Sequence, residues 1–239
     1  DYMVSDLQEA VDSVGPAKIA QAEAKAIREL KRDVEATISG TQDSATENGA
    51  GTANALRGLG KWLASGKSGD LAIASDVPAA FATPQDSVEV DAANFTEDEL
   101  NTLISSTFRV TGSTNSLMLI ADTALRSKIA DFARTTASTN SVFRSVNYDG
   151  NSGSIKLSVD LYESDHGVVS IVNMNPDCAP DTVNKDSGYL VNPEYYGIHE
   201  LIPMGSTRLP NLGGGERGFV DCALTLGVYH PGAHGKIIN

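Results

Sequence analysis

Residues 16–39 carry the strongest periodic signal in the chain. Ile19, Ala26, Ile27, Leu30, Val34 and Ile38 recur at three- and four-residue intervals, a narrow apolar stripe broken at Glu23. That spacing places side chains on one face of an α-helix. Pro16 suits a first helical turn and Gly40 a stop, so the pattern predicts a helix over 16–39. Its Ala, Glu, Lys and Arg content is strongly helix-forming. Lys25–Glu29 and Lys31–Glu35 add i,i+4 pairs on the flanks. At 1.5 Å per residue such a helix runs about 36 Å. A stripe this narrow buries one side and leaves the rest for solvent or another subunit.

The following residues, 41–52, are polar and rich in Gly, Ser and Thr, as in an exposed loop. Leu56, Leu59, Trp62 and Leu63 predict a short helix over 53–64, and Pro78 and Pro84 mark residues 65–92 as irregular. Thr96 and Glu99 form a capping box ahead of a helix with Leu100, Leu103, Ile104 and Phe108 on one side. Residues 116–121 are a short apolar run that predicts a buried strand. Asp122 can then cap a further helix carrying Leu125, Ile129 and Phe132. From Val142 the period becomes two: Ile155, Leu157, Val159 and Leu161 alternate with polar residues, and 168–172 is another strand. Val220, Cys222, Leu224, Leu226 and Val228 make the cleanest alternation, and they pair plausibly with 195–204 across Gly213–Gly215. The predicted class is α+β, one large domain or two modest ones, with the long helix against a C-terminal hairpin.

Charge changes this picture. Thirty-one acidic against eighteen basic residues give a net charge of −13. A sequence-reading nucleic-acid binder would carry a basic stripe; an acidic wall is instead compatible with a container that must release its DNA. No apolar run approaches the ~20 residues of a bilayer-spanning helix, and residues 1–6 do not form a signal peptide. Cys178 and Cys222 lack zinc-site spacing and are expected to be reduced thiols.

Candidate chemistry is sparse. Gly150-Asn-Ser-Gly153 has the look of a nucleophilic serine turn in polar surroundings. His230 and His234 have metal-like spacing, but Pro231-Gly232 between them prevents a shared helix face. Asp160, Glu163, Asp165 and His166 form an acidic cluster that a strand end before Gly167 explains. Gly49, Gly51, Gly58 and Gly60 lack the Gly-Lys-Ser/Thr ending of a phosphate loop. The expectation is therefore a structural protein with no catalytic residue, no metal and no cofactor. Two other readings remain open at this point. One is a β-rich binding or decoration module; the other is a hydrolase built from Ser152, His166 or His230.

Four segments carry a resemblance. Residues 28–40 (RELKRDVEATISG), 160–167 (DLYESDHG), 192–196 (NPEYY) and 233–237 (AHGKI) resemble, in order, motifs of a group of tailed-bacteriophage major capsid proteins. The resemblance implies the Hong Kong 97-like fold: a long spine helix, a peripheral β-hairpin sheet and an axial α/β domain. Residues 1–14 are then the remnant of an N-terminal arm or extended loop, which the family carries in longer form. Residues 15–92 would be a peripheral domain holding the spine, 93–191 the axial domain, and 192–239 the return to the periphery. The segment 207–217 lacks the Lys-Thr-Gly-Asp pattern expected near the hairpin tip. The implied function is self-assembly, as hexamers and pentamers, into an icosahedral head around double-stranded DNA held non-specifically. Scaffolding, portal and decoration proteins are the implied further partners, and no membrane is involved. Assembly would occur in the host bacterial cytoplasm before the virion is complete; an encapsulin-like compartment shell shares the fold. Repulsion between copies of charge −13 must be offset, and the charged flanks of the spine, Arg28, Lys31, Arg32, Asp33 and Glu35, are the expected subunit interface.

Overall fold

A computed structural model describes residues 1–11, 18–113, 117–134, 160–179, 185–211 and 213–239. The chain opens with strand β1 (Tyr2–Val4) and a short helix α1 (Asp6–Ala10), followed by the long helix α2 (Lys18–Ser39). The helix ends where the pattern predicts; Pro16 lies outside the described residues. Its stripe is less buried than expected. Ile19 is buried, whereas Ala22, Ala26, Leu30, Val34 and Ile38 are half-exposed. The helix rests on β1 at one end and on a later strand and a 3-10 turn at Pro176–Cys178 along its length.

The expected helix over 53–64 shrinks to the single turn α3 (Leu59–Trp62). Ala45 and Ala55 form an antiparallel bridge instead, as do Asn48 and Thr52, so 43–55 folds back on itself. The cause is a backbone contact. The Gly58 and Gly60 amides donate to Gln42 O and Gly40 O, both at 3.0 Å. A Cβ on Gly58 would stand 2.1 Å from Gly40 O, so only glycine allows this approach. Tertiary docking on the end of α2 thereby outweighs the local helical preference of Leu56, Leu59 and Leu63.

Beyond the irregular stretch come β2 (Val88–Glu89), α4 (Glu97–Thr111), β3 (Met118–Ala121) and α5 (Thr123–Arg134). The capping box forms as predicted: Thr96 Oγ1 accepts from the Glu99 amide, and the Glu99 carboxylate accepts from the Thr96 amide at 2.6 Å. Gly112, at φ 68°, ends α4 in the left-handed conformation. Leu100, Leu103 and Ile104 are buried, but Phe108 turns outward and stacks on His166, ring centroids 5.9 Å apart. Ile155, Leu157 and Val159 lie outside the described residues.

Strands β4 (Leu161–Ser164), β5 (Gly167–Asn173), β6 (Gly188–Val191), β7 (Tyr196–Leu209), β8 (Glu216–Val228) and β9 (Gly235–Ile237) complete the chain. Two sheets result. One has the order β2-β9-β6-β3-β5-β4, with parallel pairs β2–β9 and β3–β5 and antiparallel pairs elsewhere. Helices α4 and α5 bury Leu103, Ile104, Leu125 and Ile129 against Leu119, Val169, Leu190 and Ile237 of this sheet. Each such side chain contributes about 1.5–3 kcal/mol when removed from water. The other sheet, β1-β8-β7, contains the predicted hairpin, with pairs running from Tyr196↔Val228 to Leu209↔Arg217. Leu226 belongs to a core cluster with Leu63, Met174, Tyr189 and Val191, which sits between the two sheets. After the hairpin the chain leaves the three-stranded sheet, and β9 enters the six-stranded one.

Candidate functional site

The C-terminal strand is anchored by a buried ion pair. Lys236, 1% exposed, donates to Gly60 O at 3.0 Å and to Asp70 Oδ1. The other Asp70 oxygen accepts from the Ser65 amide and hydroxyl, both at 2.8 Å. Burial opposes the charge on Asp70, but the Lys236 and Ser65 hydrogen bonds outweigh it and hold the carboxyl below its usual range. Burial also pulls Lys236 down from the ordinary lysine value. Close by, the Tyr189 hydroxyl donates to Ser39 O at 2.7 Å, tying β6 to the end of α2, and burial pushes this phenol up. The sequence offered one unused cue, a lone lysine between apolar residues in Gly235-Lys-Ile-Ile238.

A second cluster holds the 41–57 loop. The Arg57 guanidinium is buried, 4.5 Å over the Trp62 ring, and donates to Asp43 at 2.7 Å and Asp76 at 2.8 Å. Lys61 adds a contact to Asp43 at 3.7 Å and donates to Ala72 O. For Asp43 burial acts upward, yet the Arg57 and Ser44 hydrogen bonds and both cations hold the carboxyl below its ordinary value.

So fixed, the loop forms one wall of a groove of about 910 Å³. Leu30, Asp33, Val34 and Thr37 of α2 form the opposite wall, Leu56 closes the loop side, and Cys222–Thr225 of β8 line the floor. β1 pairs with β8 only at Glu216–Gly218, so the same edge of β8 from Phe219 onward has no strand on it among the described residues. Across the hairpin, β7 is an edge strand among the described residues, with Ile198, Leu201, Ile202 and Leu209 exposed. Leu201 is 86% exposed, where register shifts on both sides of Ile202 interrupt the ladder.

The residues expected at an interface all lie on the exposed surface of α2. Arg32 is engaged within the chain, donating to Asp177 at 2.9 Å and so tying the helix to the 176–178 turn. Arg28 borders a second cavity of about 460 Å³ with Met3, Gln8 and Lys25, and Asp33 borders the main groove. Lys31 and Glu35 are exposed on the same helix. The residues weighed as catalytic or metal-binding are placed by packing. His234 Nδ1 accepts from the Asn192 amide at 3.1 Å, and burial pulls its pKa down to about 4. His230 stands edge-on to Phe81 and Tyr195. His166 stacks on Phe108 at the other sheet's edge, and Ser152 lies outside the described residues. Among the described residues no group of three His, Cys, Asp or Glu is placed to hold a metal ion.

This geometry offers surfaces and anchors. A family model described as SU10 major capsid protein matches residues 1–239. The chain belongs to this family. As an SU10-type major capsid protein it is a structural component of the virion shell, and it assembles with copies of itself. Among solved structures it is similar to one titled Mycobacterium phage Che8, at 12% identity and a TM-score of 0.48, covering 99% of this chain and 68% of that one. It is also similar to the capsid structure of the Cyanophage P-SCSP1u, at 15% identity and a TM-score of 0.48, covering 99% and 69%. No curated protein matches the chain.

Proposed function

We propose that this SU10-type subunit has the Hong Kong 97-like fold, with α2 as the spine helix and the β1-β8-β7 sheet as the peripheral sheet. The observation that carries this reading is a 22-residue helix with one buried residue lying beside a long hairpin whose edge strand exposes Ile198, Leu201 and Ile202. A monomer gains little from so long and exposed a pair of elements, whereas a shell covers both. The domain boundaries follow: 1–14 as arm or extended-loop remnant, 15–92 peripheral with the spine, 93–191 axial, and 192–239 returning to the periphery. The assembly is an icosahedral head of hexamers and pentamers enclosing double-stranded DNA, built in the host bacterial cytoplasm with scaffolding, portal and decoration proteins as partners. A wall of net charge −13 per copy repels packaged phosphate and leaves it mobile.

Arg28, Lys31, Arg32, Asp33 and Glu35 contribute to the interface between neighbours. Exposed ion pairs contribute only about 0–1 kcal/mol each, so apolar burial supplies most of the attraction. Expression of the chain followed by sedimentation and negative-stain imaging tests the reading: uniform icosahedral particles holding nuclease-protected DNA are expected. A stable monomer with ligand binding or turnover sinks it, and closed particles with protein cargo point to an encapsulin-like shell. Reversal of Arg28 and Lys31 together tests the interface without disturbing the Arg32–Asp177 pair. Particle yield is expected to fall and to recover in part at moderate salt; unchanged yield at every salt removes these residues from the contact.

A further inference from the structure

The 43–55 loop is held at its base and open at its tip. Arg57 clasps Asp43 and Asp76, and the bridges Ala45↔Ala55 and Asn48↔Thr52 narrow the loop to a turn. Asn48 and Gly49 lie on that turn, both exposed. The Asn48 side chain is folded back along it. Its Oδ1 accepts from the Ala50 amide at 3.1 Å and from the Thr52 amide at 3.3 Å. The first bond is an Asx turn, which lays the side-chain carbonyl along the Asn48–Gly49 peptide. Two amide donors on one oxygen also polarise the carbonyl carbon, and they face the atom on which negative charge develops when that carbon is attacked.

A nucleophile stands next in the chain. The Gly49 amide donates to no partner among the described residues. No atom beyond its chain neighbours lies within 4 Å of the position a Cβ on Gly49 would take, so nothing shields the nitrogen. Asn94 has neither property. Its Nδ2 donates to both Asp91 carboxylate oxygens, and the amide after it, that of Phe95, donates to Ala92 O at 3.4 Å.

We propose that Asn48–Gly49 is a site of spontaneous covalent modification, at which the folded loop promotes conversion of asparagine to isoaspartate and aspartate. Solvent base takes the proton of the Gly49 amide, and the nitrogen bonds to Asn48 Cγ. The bond from Cγ to the side-chain nitrogen breaks, and that nitrogen leaves as ammonia with a proton from solvent. Water then opens the cyclic imide at either carbonyl. Opening at the backbone carbonyl gives isoaspartate; opening at the side-chain carbonyl gives aspartate. The balance is one water in and one ammonia out, with nothing oxidised or reduced. Either product adds a carboxylate to a chain already at −13. Isoaspartate also reroutes the backbone through the side chain and so breaks the Asn48–Thr52 bridge, while the Arg57 clasp lies outside the turn and is kept.

The test follows the purified full chain by peptide mapping and mass spectrometry during incubation at mildly alkaline pH, where the amide nitrogen loses its proton more readily. Enzymatic methyl transfer from S-adenosylmethionine counts the isoaspartate. The peptide carrying Asn48 is expected to gain the mass of an amide-to-acid exchange, at least as fast in the native chain as in a chain unfolded in guanidinium. The Asn94 peptide is expected to stay unchanged in the native chain. Gly49 has open space and no left-handed φ, so G49A fits the fold. Its methyl crowds the attacking nitrogen and is expected to slow conversion by about tenfold. A native rate clearly below the unfolded one means that the Asx turn protects the amide, and it overturns the proposal. Conversion that G49A leaves unchanged overturns it as well.

Discussion

His234 and the Asp70–Lys236 pair set how the fold responds to acid and to substitution. His234 is neutral in the fold because burial disfavours the imidazolium and because Nδ1 faces an amide donor that a proton there would repel. With a folded pKa near 4 against 6.5 for the free side chain, the unfolded chain takes up the proton first as pH falls. Stability from this residue is therefore present above pH 6.5 and declines between 6.5 and about 4, by up to ~3 kcal/mol. Melting temperature measured across that range is expected to drop, and H234Q to flatten the drop. Asp70 acts in the same direction at lower pH, since its carboxyl is held below the usual range and its stabilisation fades as it protonates. Removing one partner, as in K236A, strands a buried charge and is expected to cost about 3–5 kcal/mol in urea denaturation. Replacing both, as in K236M combined with D70L, is expected to recover most of that loss.

At the scale of elements, the short-range signals were the legible ones. The Thr96–Glu99 box starts α4 where the sequence says, because a cap is chemistry between residues three apart. T96A is expected to lose about 1 kcal/mol, read as a shift of the denaturation midpoint. The hairpin was legible for the same reason, an alternating run at 220–228 and a glycine turn at Gly213–Gly215 that sends it back along 195–204. The 53–64 helix was not, because its fate is decided by Gly40, distant in sequence, against whose carbonyl Gly58 packs. G58A places its Cβ against that backbone and is expected to destabilise by about 1–3 kcal/mol, the usual range for overpacking. An unchanged midpoint for G58A would mean that this contact does not hold α3 in place. Phe108 follows the same logic: its position on α4 is periodic, yet His166, brought from a turn on the far side of the sheet, gives its ring a partner outside the core.

For the whole molecule, the decisive feature is how much surface a single copy leaves uncovered. Strand β7 exposes apolar side chains and helix α2 leaves its apolar stripe half-exposed, in a chain whose net charge of −13 opposes association. Assembly is therefore expected to strengthen with ionic strength until screening also weakens the cross-subunit pairs, giving a yield that rises and then levels. Light scattering across a salt series checks this, and a yield that falls from the lowest salt onward would show that attraction between charges dominates over repulsion.

Period, caps and turn residues act over a few positions, which is why the class, the long helix, the capped helix and the closing hairpin were legible in the amino-acid order. Through four short ordered segments it also pointed to the capsid family. Tertiary structure alone decided which faces are covered. The Asp70–Lys236 pair, the Arg57 clasp on Asp43 and Asp76, and the groove between Val34 and Cys222 each join residues far apart in the chain, and no local pattern encodes them. The candidate interface was legible only in part. The sequence marked the charged flank of α2, but which residues of β8 lie beside β1, Glu216 to Gly218, is a register that only packing sets.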